Sequence, residues 1–321
     1  MIDEILPGVY RIELPLPRNP LKAINSYLIK GPGRNLMVDT GMNREECKAA
    51  LAPALRELEV DLGETDLFVT HMHADHSGLV ADLVAWGATP YASRQDAEMI
   101  SLGIEWGPML TAAAANGFPT EELEQVLLKH PGHRYRSKGP VDFRILGEGD
   151  LVSVGEYTFR CLETPGHTDG HLCLYEPERK ILMSGDHVLE DITPNITGWL
   201  GEENHLAHYL ASLDRVYRLE VELVLPGHRR VFGDCRGRIR ELKHHHQVRA
   251  EEVLAILDGG AMDGFQVASH MTWDMSYDSF QQFPVAQKWF AVGEALAHLH
   301  YLEGQGLVGR EVRDRRILFS R

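Results

Sequence analysis

Basic charge, cysteine and long apolar runs are what this sequence has least of. Lys and Arg total 32 against 47 Asp and Glu, a formal net charge of −15. Binding to a phosphate backbone rests largely on clustered Lys and Arg, so a nucleic acid is not the expected partner. The four cysteines, Cys47, Cys161, Cys173 and Cys235, are scattered and form no CxxC pair. That spacing speaks against a disulfide framework and favours reduced thiols in a cytoplasmic protein. No run approaches the length that spans a bilayer. The acidic start Met1-Ile2-Asp3-Glu4 is not followed by the apolar stretch of a secretory signal, so neither a membrane nor export is expected. Internal repeats and low-complexity segments are also missing, which argues against a solenoid.

What the chain has is globular composition, 44% apolar over 321 residues, suited to one large domain plus a small one. Strand and helix patterns alternate. Gly8 to Leu14, Ile24 to Lys30 and Asn35 to Val38 read as strands, and Asn43 is placed to cap a helix reaching Leu58. Leu67 to Thr70 reads as a strand, Leu79 to Trp86 as a helix and Pro90 to Ala92 as a short strand. From Gln95 to His130 the pattern is helical, broken at Gly103, Gly107-Pro108 and Gly117-Phe118-Pro119, which predicts an inserted helical cap over about 95–140. Strands return at Val141 to Leu146, Leu151 to Val154, Tyr157 to Glu163, His171 to Tyr175, Ile181 to Met183 and Val221 to Leu225. An amphipathic helix through Leu206, Tyr209, Leu213 and Val216 precedes the last of them. Residues 1–235 thus read as an α/β domain. Residues 236–321 read as three helices and a small hairpin, a winged-helix-like α+β module.

Potential ligands collect where strands of the α/β part end. His71-Met72-His73-Ala74-Asp75-His76 follows one strand and precedes a Ser-Gly pair that opens a helical pattern. Open α/β folds place their chemistry in such loops. Three imidazoles and a carboxylate crowded into six residues call for a divalent metal to bind them. His71 and His73, two apart on an extended segment, point the same way. Asp75 and His76 lie past the bend, so the spacing suits two ions better than one. Four more turns each carry one candidate: Asp39 in Val38-Asp39-Thr40-Gly41, His167 in Pro165-Gly166-His167-Thr168, Asp186 in Ser184-Gly185-Asp186 and His228 in Pro226-Gly227-His228. Two cations roughly 3.5 to 4 Å apart share a water whose pKa falls to about 7, and the resulting hydroxide attacks an electrophilic carbonyl or phosphorus. Imidazole and carboxylate ligation fits Zn2+ best and is compatible with Fe or Mn. The run His244-His245-His246 lies on a predicted helix without the i, i+4 pairing of helical zinc sites.

In this order, on this background, the motifs resemble the metallo-β-lactamase superfamily over roughly residues 5–235. The resemblance implies an αββα sandwich with two divalent metal ions between facing sheets. It implies His71, His73 and His167 on the first metal, Asp75, His76 and His228 on the second, Asp186 bridging them, and Asp39 supporting the ligands from behind. Asp75 would act with the bridging hydroxide. His171 and His187 are expected to hold ligands through hydrogen bonds. Asp186 departs from the β-lactam hydrolases of the superfamily, whose matching position is typically Cys and which are exported, so antibiotic hydrolysis is not the expected role. The tail, with its His-containing long helix, Gly293 to Leu299 and a Leu-Gly turn, resembles the winged-helix domain of one branch that includes single-strand RNA endonucleases. The glutathione-thioester hydrolases share the metal motifs but carry a different helical tail.

Three functions follow as expectations. The first is hydrolysis of a small-molecule thioester, ester or lactone, for which the basic stretch Lys129 to Lys138, with His133, Arg134 and Arg136, offers contacts to an anionic group. The same stretch also reads as an exposed loop serving solubility. The second is a single-strand RNA endonuclease, opposed by the net charge. The third is a winged helix that binds DNA or a partner, opposed by the apolar third helix with Trp289, Phe290, Leu296 and Leu299. That helix reads as a packing surface for the hydrolase or for a second subunit in a homodimer. Trp199, in the loop Gly198-Trp199-Leu200-Gly201, reads either as a pocket-mouth residue or as an anchor for the loop.

Overall fold

Strands that are apolar on both faces demand cover on both faces, and the chain supplies it. The computed structural model describes residues 1–200 and 204–321. Its first sheet holds, in order, β1 (Ile2–Leu6), β2 (Val9–Pro15), β3 (Ala23–Ile29), β4 (Asn35–Val38), β5 (Thr65–Phe68), β6 (Thr89–Ala92) and β7 (Arg144–Ile145). The pairings from β1 to β4 are antiparallel and those from β4 to β7 parallel. The second sheet has β8 (Leu151–Val154), β9 (Tyr157–Glu163), β10 (Leu172–Glu176), β11 (Ile181–Gly185) and β12 (Leu223–Pro226), in the spatial order β12-β11-β10-β9-β8. Only β11 and β12 pair in parallel there.

Period-two alternation sorts these residues into layers. Tyr27, Ile29, Leu36, Val38 and Phe68 meet Phe159, Cys161, Leu172, Leu174 and Met183 between the sheets. On the far side of the first sheet, Ile24, Leu28, Met37 and Leu67 pack on Leu51 and Leu55 of α1 (Glu45–Glu57) and on Leu83, which lies beyond α2 (Ala74–Ser77) in α3 (Val80–Ala85). The order of layers is the predicted αββα sandwich.

The inserted segment forms α4 (Arg94–Leu102), α5 (Trp106–Ala115), α6 (Thr120–Lys129) and α7 (Pro131–Arg134). On the outer face of the second sheet, Cys173, Tyr175 and Leu182 pack on Tyr209 and Leu213 of α8 (His205–Tyr217) and on Leu242 of α9 (Cys235–Leu257). The tail continues with α10 (Gly264–His270), α11 (Val285–Gly304) and the antiparallel hairpin β13 (Gly309–Arg313) and β14 (Arg316–Ser320). Insert and tail share one core, in which Phe118 and Val126 meet Val253, Val267, Trp289 and Leu296. Lys288 of α11 reaches Glu122 of α6 at 2.9 Å. Of the apolar residues that suggest a second subunit, Trp289, Leu296 and Leu299 are buried within the chain itself, and Phe290 is partly buried against the same core.

The structure corrects the sequence reading in four places. Asn43 does not cap α1. The cap position is Arg44, because Asn43 is tied to the insert, its N–H donating to the Tyr135 carbonyl at 3.0 Å and its amide to that of Arg136 at 3.4 Å. Gly107-Pro108 is not a break. It lies in the first turn of α5, where a missing proline N–H costs nothing. Only Arg144–Ile145 of the stretch Val141 to Leu146 is strand, since it pairs only with Tyr91 and Ala92. β1, half-buried along most of its length, carries no alternation strong enough to mark it.

Candidate metal centre

The HxHxDH segment follows β5 after two intervening residues and runs into the start of α2, so His71 follows the strand closely and the short helix turns Asp75 and His76 inward. His167 follows β9, Asp186 follows β11 and His228 follows β12. All three strands belong to the second sheet, so the ligands come from both halves of the sandwich. The halves are pinned together at this end. Asn25 donates from Nδ2 to the carbonyls of Pro226 and Arg229, each at 2.9 Å, and the Tyr27 hydroxyl also donates to Pro226 at 2.9 Å.

Hydrogen bonds behind the imidazoles fix which nitrogen faces the centre. Thr70 Oγ1 donates to Asp39 at 2.8 Å and lies 3.0 Å from His71 Nδ1, whose N–H it accepts. His76 Nδ1 donates to Asp39 at 2.7 Å, His167 Nδ1 to the Asn195 carbonyl at 2.9 Å and His228 Nδ1 to the Ala23 carbonyl at 2.7 Å. Each ring thereby turns its Nε2 toward the centre. His71 Nε2 and His73 Nδ1 converge to 3.0 Å, close to the ~3.3 Å between two nitrogens on a tetrahedral zinc with bonds of about 2.0–2.1 Å.

The donor set fits a divalent cation. Nε2 of His76, His167 and His228 and Oδ1 of Asp186 are buried without a hydrogen-bond partner, and buried polar atoms are not left so without a reason. Three groups each bring their ligand atoms within 4.8 Å: His71, His73 and His167; His71, His76 and Asp186; Asp75, His76 and His228. Asp186 lies between them, 3.4 Å from His76, 3.7 Å from His167 and 3.5 Å from His228. All seven candidate ligands are therefore brought together.

Asp39 lies behind them with three hydrogen bonds, the third from the Thr70 N–H at 2.8 Å. His171 accepts the Asp186 N–H at Nε2 across 3.2 Å, which orients the backbone of that aspartate. His187 turns away and its ring packs edge-on against Tyr209. His133, Arg134 and Arg136 are exposed and lie outside the cluster. Between them Tyr135 abuts the turn after the motif, since a Cβ at Gly78 would lie 2.7 Å from its carbonyl oxygen. Trp199 is buried against the tail, stacked on Trp289 at 3.9 Å; Gly201 of the same loop lies outside the described residues. The sequence reading missed Asp96, whose buried carboxylate accepts from the Met72 N–H at 2.9 Å and the Thr168 hydroxyl at 2.8 Å, joining the two loops that carry His71, His73 and His167. Burial pushes its carboxyl up to about 7 against those hydrogen bonds. Its signal was only a Ser93-x-x-Asp96 helix start.

Protonation divides the histidines. Burial, aided by the charges of His76, His73 and His167, holds His71 well below the usual range, and burial with His167 pushes His73 down to about 3. Burial also opposes charge on His76 and His228, but Asp186 and Asp39 outweigh it at His76, and Asp186 with Asp75 raises His228 to about 10. Against burial, His228 at 3.4 Å and the charge of His76 bring Asp75 down to about 2. In the metal-free protein at neutral pH, His76 and His228 therefore carry protons that a cation must displace. Metal uptake is expected to release about two protons near pH 7, and affinity should climb with pH toward the His228 value of about 10. Calorimetric titration in two buffers of different ionisation heat checks this; equal heats would show that the rings are already neutral.

Residues 20–228, well over half of the chain, match the family model described as Metallo-beta-lactamase superfamily. The chain belongs to that superfamily. A second model, Metallo-beta-lactamase-like, C-terminal domain, matches residues 279–321. The superfamily likeness extends over the whole length in a solved metallo-beta-lactamase family protein from Thermus thermophilus, 31% identical, covering 99% of this chain and 100% of that one with a TM-score of 0.84. Two curated relatives are similar over less. The lactamase-like protein vrtG of Penicillium aethiopicum is 29% identical across 80% of this chain and 68% of its own length. The acyl-coenzyme A thioesterase MBLAC2 of Homo sapiens is 28% identical across 65% of this chain and 74% of its own length. The protein is thus a hydrolase of the metallo-beta-lactamase superfamily.

Proposed function

We propose that this hydrolase cleaves an acyl thioester on an anionic carrier of the coenzyme A kind, with two divalent cations, Zn2+ by donor chemistry, as cofactors. The observation that carries the reading is the place of Asp186, 3.7 Å from His167 on one side and 3.5 Å from His228 on the other. His71, His73 and His167 would hold one cation, Asp75, His76 and His228 the other, with Asp186 between them. When bound, the cations supply a Lewis acid for the carbonyl and an acidified water.

The chain's own residues do the rest. Asp75, held at about 2, is a carboxylate at neutral pH, so its oxygen accepts a hydrogen bond from a water and orients it. Asp39 and the Asn195 and Ala23 carbonyls keep His76, His167 and His228 in one tautomer. A thiol with a pKa near ~8.5, as for cysteine, leaves as thiolate with little help from an acid. The identity to MBLAC2 supports the thioester over an ester or lactone. Anion recognition falls to Arg134 and Arg136, exposed beside the Tyr135 that packs on the motif turn. The Arg134 guanidinium lies 5.0 Å from the Tyr135 ring centre and that of Arg44 4.9 Å. The tail is read as a winged-helix-like unit used for packing, with a small molecule and no nucleic acid as the partner.

The test is a panel of an acyl-coenzyme A, a neutral thioester with the same acyl chain, a lactone, a β-lactam and a labelled single-stranded RNA. Turnover of the thioesters is expected. Exchanging Arg134 and Arg136 together for Ala should raise KM for the acyl-coenzyme A by about tenfold, the size of one charge-assisted hydrogen bond, and leave the neutral thioester unchanged. Equal effects on both substrates would remove the anion-binding role, and cleavage of RNA alone would overturn the thioester reading.

A further inference from the structure

Asn195, the acceptor for His167 Nδ1, belongs to the connection between β11 and α8. Several anchors of that connection beyond Val188 lie on the C-terminal helices. Arg238 of α9 donates from Nε to the Leu189 carbonyl at 2.7 Å and from Nη2 to the Ile192 carbonyl at 2.9 Å. The Gly198 N–H donates to the Gly293 carbonyl of α11 at 3.0 Å. Ile196 shares a core with Ala297 of the same helix, and Trp199 stacks on Trp289. The contact runs continuously from Trp289 to Ala297.

Glycine is disfavoured inside a helix, so Gly293 needs a reason to be there. A Cβ at Gly293 would lie 2.8 Å from Trp199 Nε1 and 2.9 Å from Thr197 Cγ2, and one at Gly198 would lie 2.8 Å from the Ala297 nitrogen. Two bare Cα atoms let the connection sit directly on the helix, and packing this close transmits displacement instead of absorbing it.

We propose that α11 is a positioning element for the metal centre. Through the Gly198–Gly293 and Trp199–Trp289 contacts it sets where the Asn195 carbonyl lies, and hence the tautomer and tilt of the His167 ring toward His71 and His73. Hydrogen-bond partners behind a ligating imidazole commonly govern metal affinity by 10- to 100-fold. The inference rests on His167 being a ligand, not on the identity of the substrate.

The experiment is Co2+ titration of the metal-free full chain, read by absorption spectrum and by competition with a chelator, alongside Tm. Gly293→Val pushes the connection outward, and Trp289→Leu removes the stack without adding bulk. Gln287→Gly loosens the same helix in its first turn, away from the joint. Both joint variants are expected to weaken the position formed by His71, His73 and His167 by about 10- to 100-fold and to alter its Co2+ spectrum. The position of Asp75, His76 and His228 should bind as in the wild type, and Gln287→Gly should lower Tm alone. Should Gly293→Val not fold, Trp289→Leu decides. Wild-type Co2+ binding in the folded joint variants overturns the proposal, as does an equal loss in Gln287→Gly, because helix stability would then account for it. A wild type that takes up no Co2+ is a separate failure: it removes the ligand assignment and the inference with it.

Discussion

Asp186→Ala is expected to lower kcat/KM by at least about three orders of magnitude and to leave about one metal ion per chain instead of two. The carboxylate lies within 3.7 Å of His76, His167 and His228, so in the proposed centre it would serve both cations. Losing a bound cation removes several kcal/mol of transition-state stabilisation, and each 1.36 kcal/mol is about tenfold in rate. The same substitution removes the largest influence that raises His76 and His228. Their protons then come off at lower pH, and the pH dependence of metal uptake should flatten. Elemental analysis and steady-state kinetics measure the first effect, and titration at several pH values the second. Near-normal activity with a full metal complement would show that Asp186 is not shared.

Asp39→Ala is expected to destabilise the metal-free protein by about 3 to 5 kcal/mol, the range for breaking a buried, hydrogen-bonded charge pair. It removes the acceptor for the Thr70 N–H, the Thr70 hydroxyl and His76 Nδ1 at once. The position itself is demanding, with φ at 60°, a conformation that aspartate tolerates better than most residues. Because Asp39 helps raise the His76 pKa, its contribution is fully present below about pH 6.5, the unperturbed histidine value, and fades as pH rises through the folded value. The penalty in urea unfolding should therefore be largest in mild acid and shrink in alkali. Metal affinity should fall by about 10- to 100-fold. A penalty independent of pH would mean that the His76 contact adds nothing to stability.

The candidate ligands were legible in the sequence because each sits in a turn of small residues after an apolar run, a local pattern that survives without the fold. His71, His73, Asp75, His76, His167, Asp186 and His228 all meet where that pattern puts them. Of the groups that orient them, Asp39 and His171 were legible, and the backbone acceptors were not. The Ala23 and Asn195 acceptors are carbonyl oxygens, which every residue has, and only tertiary placement selects these two. Asp96 lies on a helix surface whose burial depends on the loops it joins. The strands β3, β4, β9 and β10 were legible as short runs rich in apolar and β-branched residues, whereas the core shared by Phe118 and Trp289 depends on contacts distant in sequence. Asn43 had the right chemistry for a helix cap but found a better partner in the backbone at Arg136.

The candidate ligands are divided between the two sheets, with His71 beyond a strand of one and His228 beyond a strand of the other, and the sheets are joined at the same end by Asn25 and Tyr27. A cation seated there would be a rivet through two half-shells, held by residues of both. Whatever binds the native form alone raises its stability by RT ln(1 + [L]/Kd). How long the chain survives heat thus becomes a property of its surroundings as much as of its sequence: a cell short of metal holds a softer protein, with the softening centred on the join between the sheets.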